Sequence, residues 1–143
     1  MNSIRLQMFA AACATPVTSA LACALVDVQN VRPAQGSLMV AVYADEADFP
    51  RKPAIALQQR AGEGETLRFA VCGYDGREVA LSLFQDLNDN RRMDSNLVGM
   101  PTEPYGASSA SGAPLMGPPS WAATKVTLKS GAEAAPLVIS LSK

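Results

Sequence analysis

The chain has 143 residues, enough for one ordinary domain with a single hydrophobic core and too few for two. Its 12 Lys and Arg residues balance 13 Asp and Glu residues, so no overall charge excess draws it toward nucleic acid or anionic lipid. It contains no histidine, which excludes Ser-His-Asp and Cys-His catalysis and removes the commonest zinc ligand. We therefore expect a small domain that does not bind nucleic acid.

Residues 1–22 have the pattern of a secretory signal peptide. Arg5 gives a positive start, an apolar run follows over residues 6–14, and small residues end the segment at Ala22. Polar residues interrupt the segment, whereas a membrane span needs about 20 predominantly apolar residues. We expect cleavage after Ala22, with Ala24 as a second possible cleavage point. This predicts one domain over residues 23–143, a periplasmic or secreted location, and no membrane span in the mature form.

Removal of the signal peptide leaves two cysteines, Cys23 and Cys72. In an oxidising compartment they are a candidate pair for one disulfide between the first strand and a middle strand. Two alternatives stay open. The run Ala20-Leu21-Ala22-Cys23 is similar to a lipoprotein processing site, which would leave Cys23 acylated as a lipid anchor at the N-terminus. Both cysteines also fit buried free thiols, because Cys is a common core residue.

From Cys23 onward the apolar residues alternate with a period of two, which predicts strands. The alternating segments are 25–31, 37–43, 67–71, 79–83, 126–128 and 137–141. The Asp75-Gly76 pair predicts a tight hairpin turn, and residues 55–59 fit either an extra strand or one helical turn. Six or seven short strands predict an all-β fold, an antiparallel β-sandwich of the immunoglobulin-like or transthyretin-like kind.

One long connection interrupts this pattern. Residues 95–120 contain four Gly and five Pro and show no sustained periodicity. A structureless connection of this length inside a compact domain is usually functional or disordered.

The segment before this connection matches a calcium-binding loop. Side-chain oxygens of Asp86, Asn88, Asn90 and Asp94 stand at positions 1, 3, 5 and 9 of the pattern, and the backbone carbonyl of Arg92 stands at position 7. Hard oxygen ligands without nitrogen or sulfur favour calcium over zinc.

The match to the calcium pattern is incomplete at two positions. Arg91 occupies position 6, where Gly normally makes the sharp turn, and Leu97 occupies position 12, which normally supplies a bidentate carboxylate. Glu103 from the following loop is the candidate replacement for that carboxylate. We expect weak calcium binding, with a Kd on the order of 10⁻⁴ to 10⁻³ M. The alternative is that the Asp and Asn residues form Asx-turns that need no metal.

Three motifs in one order resemble the signature of a bacterial exported family known as a domain of unknown function, number twenty-one forty-one. They are the segments 86–94, 99–106 and 117–121. The resemblance implies a signal peptide and a β-sandwich and implies no reaction, because the family has no established activity. Members usually carry His before the first Asp and Gly within the Asn-rich loop, where this chain has Gln85 and Arg91.

Two classes of function fit these observations. The first is a non-catalytic exported module in which calcium orders the long loop, which faces an envelope protein or a glycan. The second is a small periplasmic glycan hydrolase that uses two of Asp86, Asp94 and Glu103 as general acid and base. The hydrolase requires two carboxyl groups about 5 to 9.5 Å apart. Because carboxylates that bind a cation are poor proton donors, the two uses compete for the same residues.

Overall fold

The computed structural model describes residues 22–109 and 119–142. Nearly all of the predicted signal peptide lies outside the described residues. Eight strands are described: β1 (Cys23–Gln29), β2 (Ser37–Tyr43), β3 (Ile55–Arg60), β4 (Thr66–Cys72), β5 (Glu78–Asp86), β6 (Tyr105–Ala107), β7 (Val126–Thr127) and β8 (Leu137–Ser140). A 3-10 turn over Glu46–Asp48 and one helical turn, α1 (Trp121–Thr124), complete the elements. Within the described part of the chain, no helix is long and apolar enough to cross a membrane.

The strands form two sheets that pack face to face. The smaller sheet has the order β4-β1-β8, and the larger has the order β3-β2-β5-β6, with β7 paired to the start of β5. Alternating apolar residues of both sheets meet in one core, because every second side chain of a strand points to the same face. The most completely buried of them are Val26, Val28, Leu38, Val42, Val79, Leu81 and Leu83.

The predicted all-β sandwich is confirmed, with eight described strands rather than six or seven. One pairing is parallel: β8 lies beside β1 with Val28 opposite Ile139. Residues 55–59, which fitted a strand or a helical turn, belong to β3 and pair with β2.

The predicted hairpin at Asp75-Gly76 is wrong. A turn does form there, with the Arg77 N–H donating to the Tyr74 carbonyl at 3.1 Å and Gly76 at φ 69°. However, β4 pairs with β1 and β5 pairs with β2, so the turn carries the chain from one sheet to the other. Turn residues specify a chain reversal, whereas the partner of each strand depends on which apolar faces meet across the core.

The predicted Cys23–Cys72 disulfide is present. The two residues are directly opposite each other where β1 and β4 pair, with Cα atoms 3.9 Å apart. The bridge closes a sequence separation of 49 residues and ties the start of the domain to its middle. It also occupies the Cys23 sulfur that acylation would require.

The described part of the long connection, residues 95–109, contains regular structure that its sequence did not predict. Strand β6 lies inside it and pairs with β5, placing Gly106 opposite Leu83. Ser95 and Pro101 form an isolated antiparallel bridge. Residues 110–118 lie outside the described residues.

Candidate functional site

The candidate site begins where β5 ends at Asp86, whose side chain is completely buried. We use the name Asp/Asn loop for residues 86–94. The Asp86 Oδ1 atom accepts a hydrogen bond from the Asn90 N–H at 3.1 Å, and Oδ2 accepts one from the Arg91 N–H at 2.6 Å. One buried carboxylate therefore folds the middle of the loop back onto the end of the strand.

Two Asx-turns continue this curl. The Asn88 Oδ1 atom accepts from the Asn90 N–H at 3.1 Å, and the Asn90 Oδ1 atom accepts from the Arg92 N–H at 2.8 Å. Arg91 has φ 62°, in the left-handed region that normally favours glycine. The backbone at position 6 thus makes the kind of turn that Gly makes in calcium loops, although the residue is Arg.

The far end of the loop is joined to its middle through Asp94, which is half-buried. The Nδ2 group of Asn88 donates to Asp94 Oδ2 at 2.7 Å, and the Nδ2 group of Asn90 donates to Asp94 Oδ1 at 3.0 Å. The side chains of the three residues are therefore gathered in one network. Arg92 lies between them in sequence, exposed, with its N–H directed to Asn90.

Glu103 closes the loop from the following segment. It is buried, and its Oε1 atom accepts from the Leu87 N–H at 2.8 Å while Oε2 accepts from the Asp94 N–H at 3.1 Å. One carboxylate thus holds both ends of the Asp/Asn loop. The sequence made Glu103 the candidate replacement for the missing carboxylate ligand, which stays a prediction; in the structure both of its carboxylate oxygens accept from backbone N–H groups.

Sequence reasoning did not find Gln85 as a structural residue. Gln85 is completely buried, its Oε1 atom accepts from the Arg32 N–H, and its Nε2 group donates to the carbonyls of Arg32 and Gln35. It therefore fixes the β1–β2 connection to the end of β5, one residue before Asp86. An apolar-polar pattern alone cannot show this role, because the partners lie about 50 residues away in sequence.

Two further contacts to the loop come from distant residues. Asp89 accepts from the Ser37 hydroxyl at 2.9 Å and forms an ion pair with Arg60 at 3.3 Å. Gly36, at φ 57°, packs so closely that an added Cβ would overlap the carbonyl oxygen of Asp86. Gly36, directly before β2, was therefore the available sequence signal for a close approach of the backbone to this site.

The oxygen atoms of the Asp/Asn loop determine which kind of ion it could bind. Carboxylate, amide and carbonyl oxygens are the ligands that calcium prefers, and each amide oxygen in an Asx-turn keeps a second lone pair. Within residues 22–109 and 119–142, no three Asp, Glu, Cys or His side chains are grouped closely enough to hold a metal ion together. A cation in this loop would therefore depend on the Asn amides and on water as well as on carboxylates.

The fold and the loop define a class of protein: a disulfide-linked β-sandwich with an ordered Asp/Asn loop at one end of its larger sheet. A family model described as an uncharacterized protein conserved in bacteria, DUF2141, matches residues 26–135, from within β1 to just before β8. The chain belongs to this family, which confirms the resemblance seen in its loop motifs. No curated protein and no solved structure matches the chain significantly.

Proposed function

We propose that this protein is an exported, non-catalytic β-sandwich module in which weak calcium binding fixes the Asp/Asn loop and the segment that follows it. The cation would be held by Asp86, Asn88, Asn90, the Arg92 carbonyl and Asp94, with water completing the six to eight oxygens that calcium takes. Glu103 would then brace the two ends of the loop. The fixed loop would face a partner in the cell envelope.

The observation that carries this proposal is the backbone of the loop. The buried Asp86 accepts from the N–H groups at positions 5 and 6, and Arg91 takes the left-handed conformation at position 6. These features fold positions 1 to 6 of the loop into a single turn, which supports the proposal because a calcium loop needs its oxygen atoms to converge in this way. The disulfide supports export, because such bridges persist in oxidising compartments.

The hydrolase alternative has less support from the geometry. Asp86 and Glu103 are buried, and both oxygens of each accept hydrogen bonds from backbone N–H groups. Asp94 faces two Asn amides. These carboxylates are directed at the protein's own chain, whereas a general acid must reach the glycosidic oxygen of its substrate.

Calorimetric titration with calcium tests the proposal. We expect saturable binding with a Kd on the order of 10⁻⁴ to 10⁻³ M and its loss in Asp94→Ala, a variant chosen because Asp94 is half-buried and the loop keeps its other contacts. Glu63→Ala removes an exposed carboxylate elsewhere and should bind as the parent does. Absence of binding at millimolar calcium, or equal binding by Asp94→Ala, would contradict the proposal.

A further inference from the structure

Three large apolar side chains protrude from the segment that follows the Asp/Asn loop. Leu97 is fully exposed, Val98 is 80% exposed and Met100 is 61% exposed. We call these three residues the apolar tip. Single exposed apolar residues are ordinary on protein surfaces, but a contiguous group marks an interaction site.

Hydrogen bonds hold the apolar tip in this exposed position. Ser95 and Pro101 pair as an antiparallel bridge at its base. The Asn96 N–H donates to the Met100 carbonyl at 2.8 Å, and the Asn96 Oδ1 atom accepts from the N–H groups of Val98 and Met100 at 3.0 Å each. The exposure therefore belongs to a closed turn, in which polar groups satisfy the backbone while the apolar side chains face outward.

Two arginines precede the apolar tip in the chain. Arg91 and Arg92 are exposed, and neither forms an ion pair with another described residue. Of the four acids in residues 86–103, Asp86 and Glu103 are buried, Asp89 pairs with Arg60, and Asp94 accepts from neutral Asn amides and keeps its negative charge. The two exposed guanidinium groups are therefore without an ion-pair partner among the described residues, and they stand only a few residues before the apolar tip in the chain.

The size and shape of the apolar tip favour one kind of partner. A stable protein interface buries about 800 Å² on each side and matches the partner's shape, and three side chains on a convex turn fall short of that area. A lipid surface needs no matching pocket and accepts a protruding apolar group, while arginines nearby meet anionic headgroups. We propose that the apolar tip inserts into the surface of an anionic lipid bilayer, with Arg91 and Arg92 contacting its headgroups.

This inference goes beyond the calcium proposal and requires no metal, because the apolar tip is already exposed and fixed by hydrogen bonds. The partner it names is a lipid surface rather than the envelope protein or glycan expected from the sequence. Vesicle binding measured in EDTA therefore tests the membrane proposal alone, and failure of calcium binding leaves its prediction unchanged.

The test is co-sedimentation of residues 23–143, which hold every described strand, with vesicles in EDTA. Vesicles of phosphatidylglycerol mixed with phosphatidylcholine supply anionic lipid, and pure phosphatidylcholine vesicles are the neutral comparison. We expect binding to the anionic vesicles that weakens as salt increases. The triple variant Leu97→Ser, Val98→Ser, Met100→Ser should bind at least tenfold more weakly, and Arg91→Gln with Arg92→Gln should lose the preference for anionic lipid.

A matched control removes exposed apolar surface at another place. Leu25 and Val138 are 41% and 45% exposed on the smaller sheet, so Leu25→Ser with Val138→Ser should leave vesicle binding unchanged, with thermal melting verifying that each variant folds. Equal binding by the parent and the triple variant would overturn the proposal. So would no binding to anionic vesicles, or a lipid-free dimer that the triple variant abolishes, since the partner would then be a second copy.

Discussion

At the scale of single residues, the candidate site depends on side chains that satisfy backbone N–H groups. Asp86 accepts from two N–H groups of its own loop, and Glu103 accepts from one at each end of that loop. Buried backbone donors are costly to leave unpaired. The loop therefore has a defined shape before any ion is considered, and single substitutions can test each contact.

Arg91 gives the first prediction at this scale. Left-handed backbone costs roughly 1–2 kcal/mol for a residue other than glycine, so Arg91→Gly should leave the free energy of unfolding unchanged or raise it by up to about 1 kcal/mol. Arg92 does not have a positive φ, so Arg92→Gly is the matched control and should lower it by about 0.5–1 kcal/mol. Urea unfolding compares the two, and the reverse order would show that the left-handed turn is absent in solution.

Glu103 gives the second prediction. Glu103→Ala leaves the N–H groups of Leu87 and Asp94 without their acceptor, and we expect a loss of about 2–4 kcal/mol in the free energy of unfolding. Glu103→Gln keeps one oxygen acceptor and should lose less. The exposed Glu63→Ala should change stability by no more than about 0.5 kcal/mol. If urea unfolding gives equal midpoints for Glu103→Ala and Glu63→Ala, then Glu103 does not brace the loop.

At the scale of elements, the position of the Asp/Asn loop is set by its contacts with two strands and with the β1–β2 connection. Asp86 is the last residue of strand β5. The neighbouring Gln85 is hydrogen-bonded to the backbone of Arg32 in the β1–β2 connection, and the hydroxyl of Ser37, at the start of β2, donates to Asp89. Gly36 lies at this junction, where its backbone approaches the carbonyl of Asp86. The site is therefore assembled from two connections and a strand end, rather than from the loop alone.

The substitution Gly36→Ala tests this junction. The added Cβ meets the Asp86 carbonyl, and φ 57° strains any side chain, so we expect a loss of about 2 kcal/mol or more in the free energy of unfolding. Gly62→Ala is the matched control, because its Cβ would enter open space without a left-handed φ. Similar thermal midpoints for the two variants would argue against the close approach.

The pairing of β1 with β4 predicts a pH dependence. Arg68 donates two hydrogen bonds to Asp27, at 2.6 and 2.7 Å, and these bonds hold the pKa of Asp27 below its ordinary value. A carboxyl with a lowered folded-state pKa stabilises the protein above its unfolded-state pKa of about 3.9, and that contribution disappears as pH falls through the folded-state pKa.

Urea unfolding at several pH values measures this contribution. Parent and Asp27→Asn should differ in stability at pH 7, and the difference should shrink steadily below about pH 4. The effect should be small, because Arg68 is largely exposed to solvent. A difference that grows on acidification would have the wrong sign for this ion pair.

At the scale of the whole molecule, short sequence patterns predicted the strands and the Asp/Asn loop but not the contacts between segments that are distant in sequence. Alternation of apolar residues predicted the strands, because each strand buries one face, and the spacing of Asp86, Asn88, Asn90 and Asp94 predicted side chains that gather in one loop. The pairing of β4 with β1 and of β5 with β2, the role of Gln85 and the order within 95–107 depend on contacts between distant segments. Those contacts are set by how the two sheets meet, which no short sequence pattern encodes.

The proposed binding of a hard cation by the Asp/Asn loop can be followed residue by residue with amide NMR during a calcium titration. We predict saturable shifts confined to residues 86–94 and their hydrogen-bonded neighbours, absent in Asp94→Ala and unchanged in Glu63→Ala. Shifts that do not saturate, that spread over other acidic segments such as 45–48, or that persist in Asp94→Ala would show that the Asp/Asn loop is not a specific calcium site.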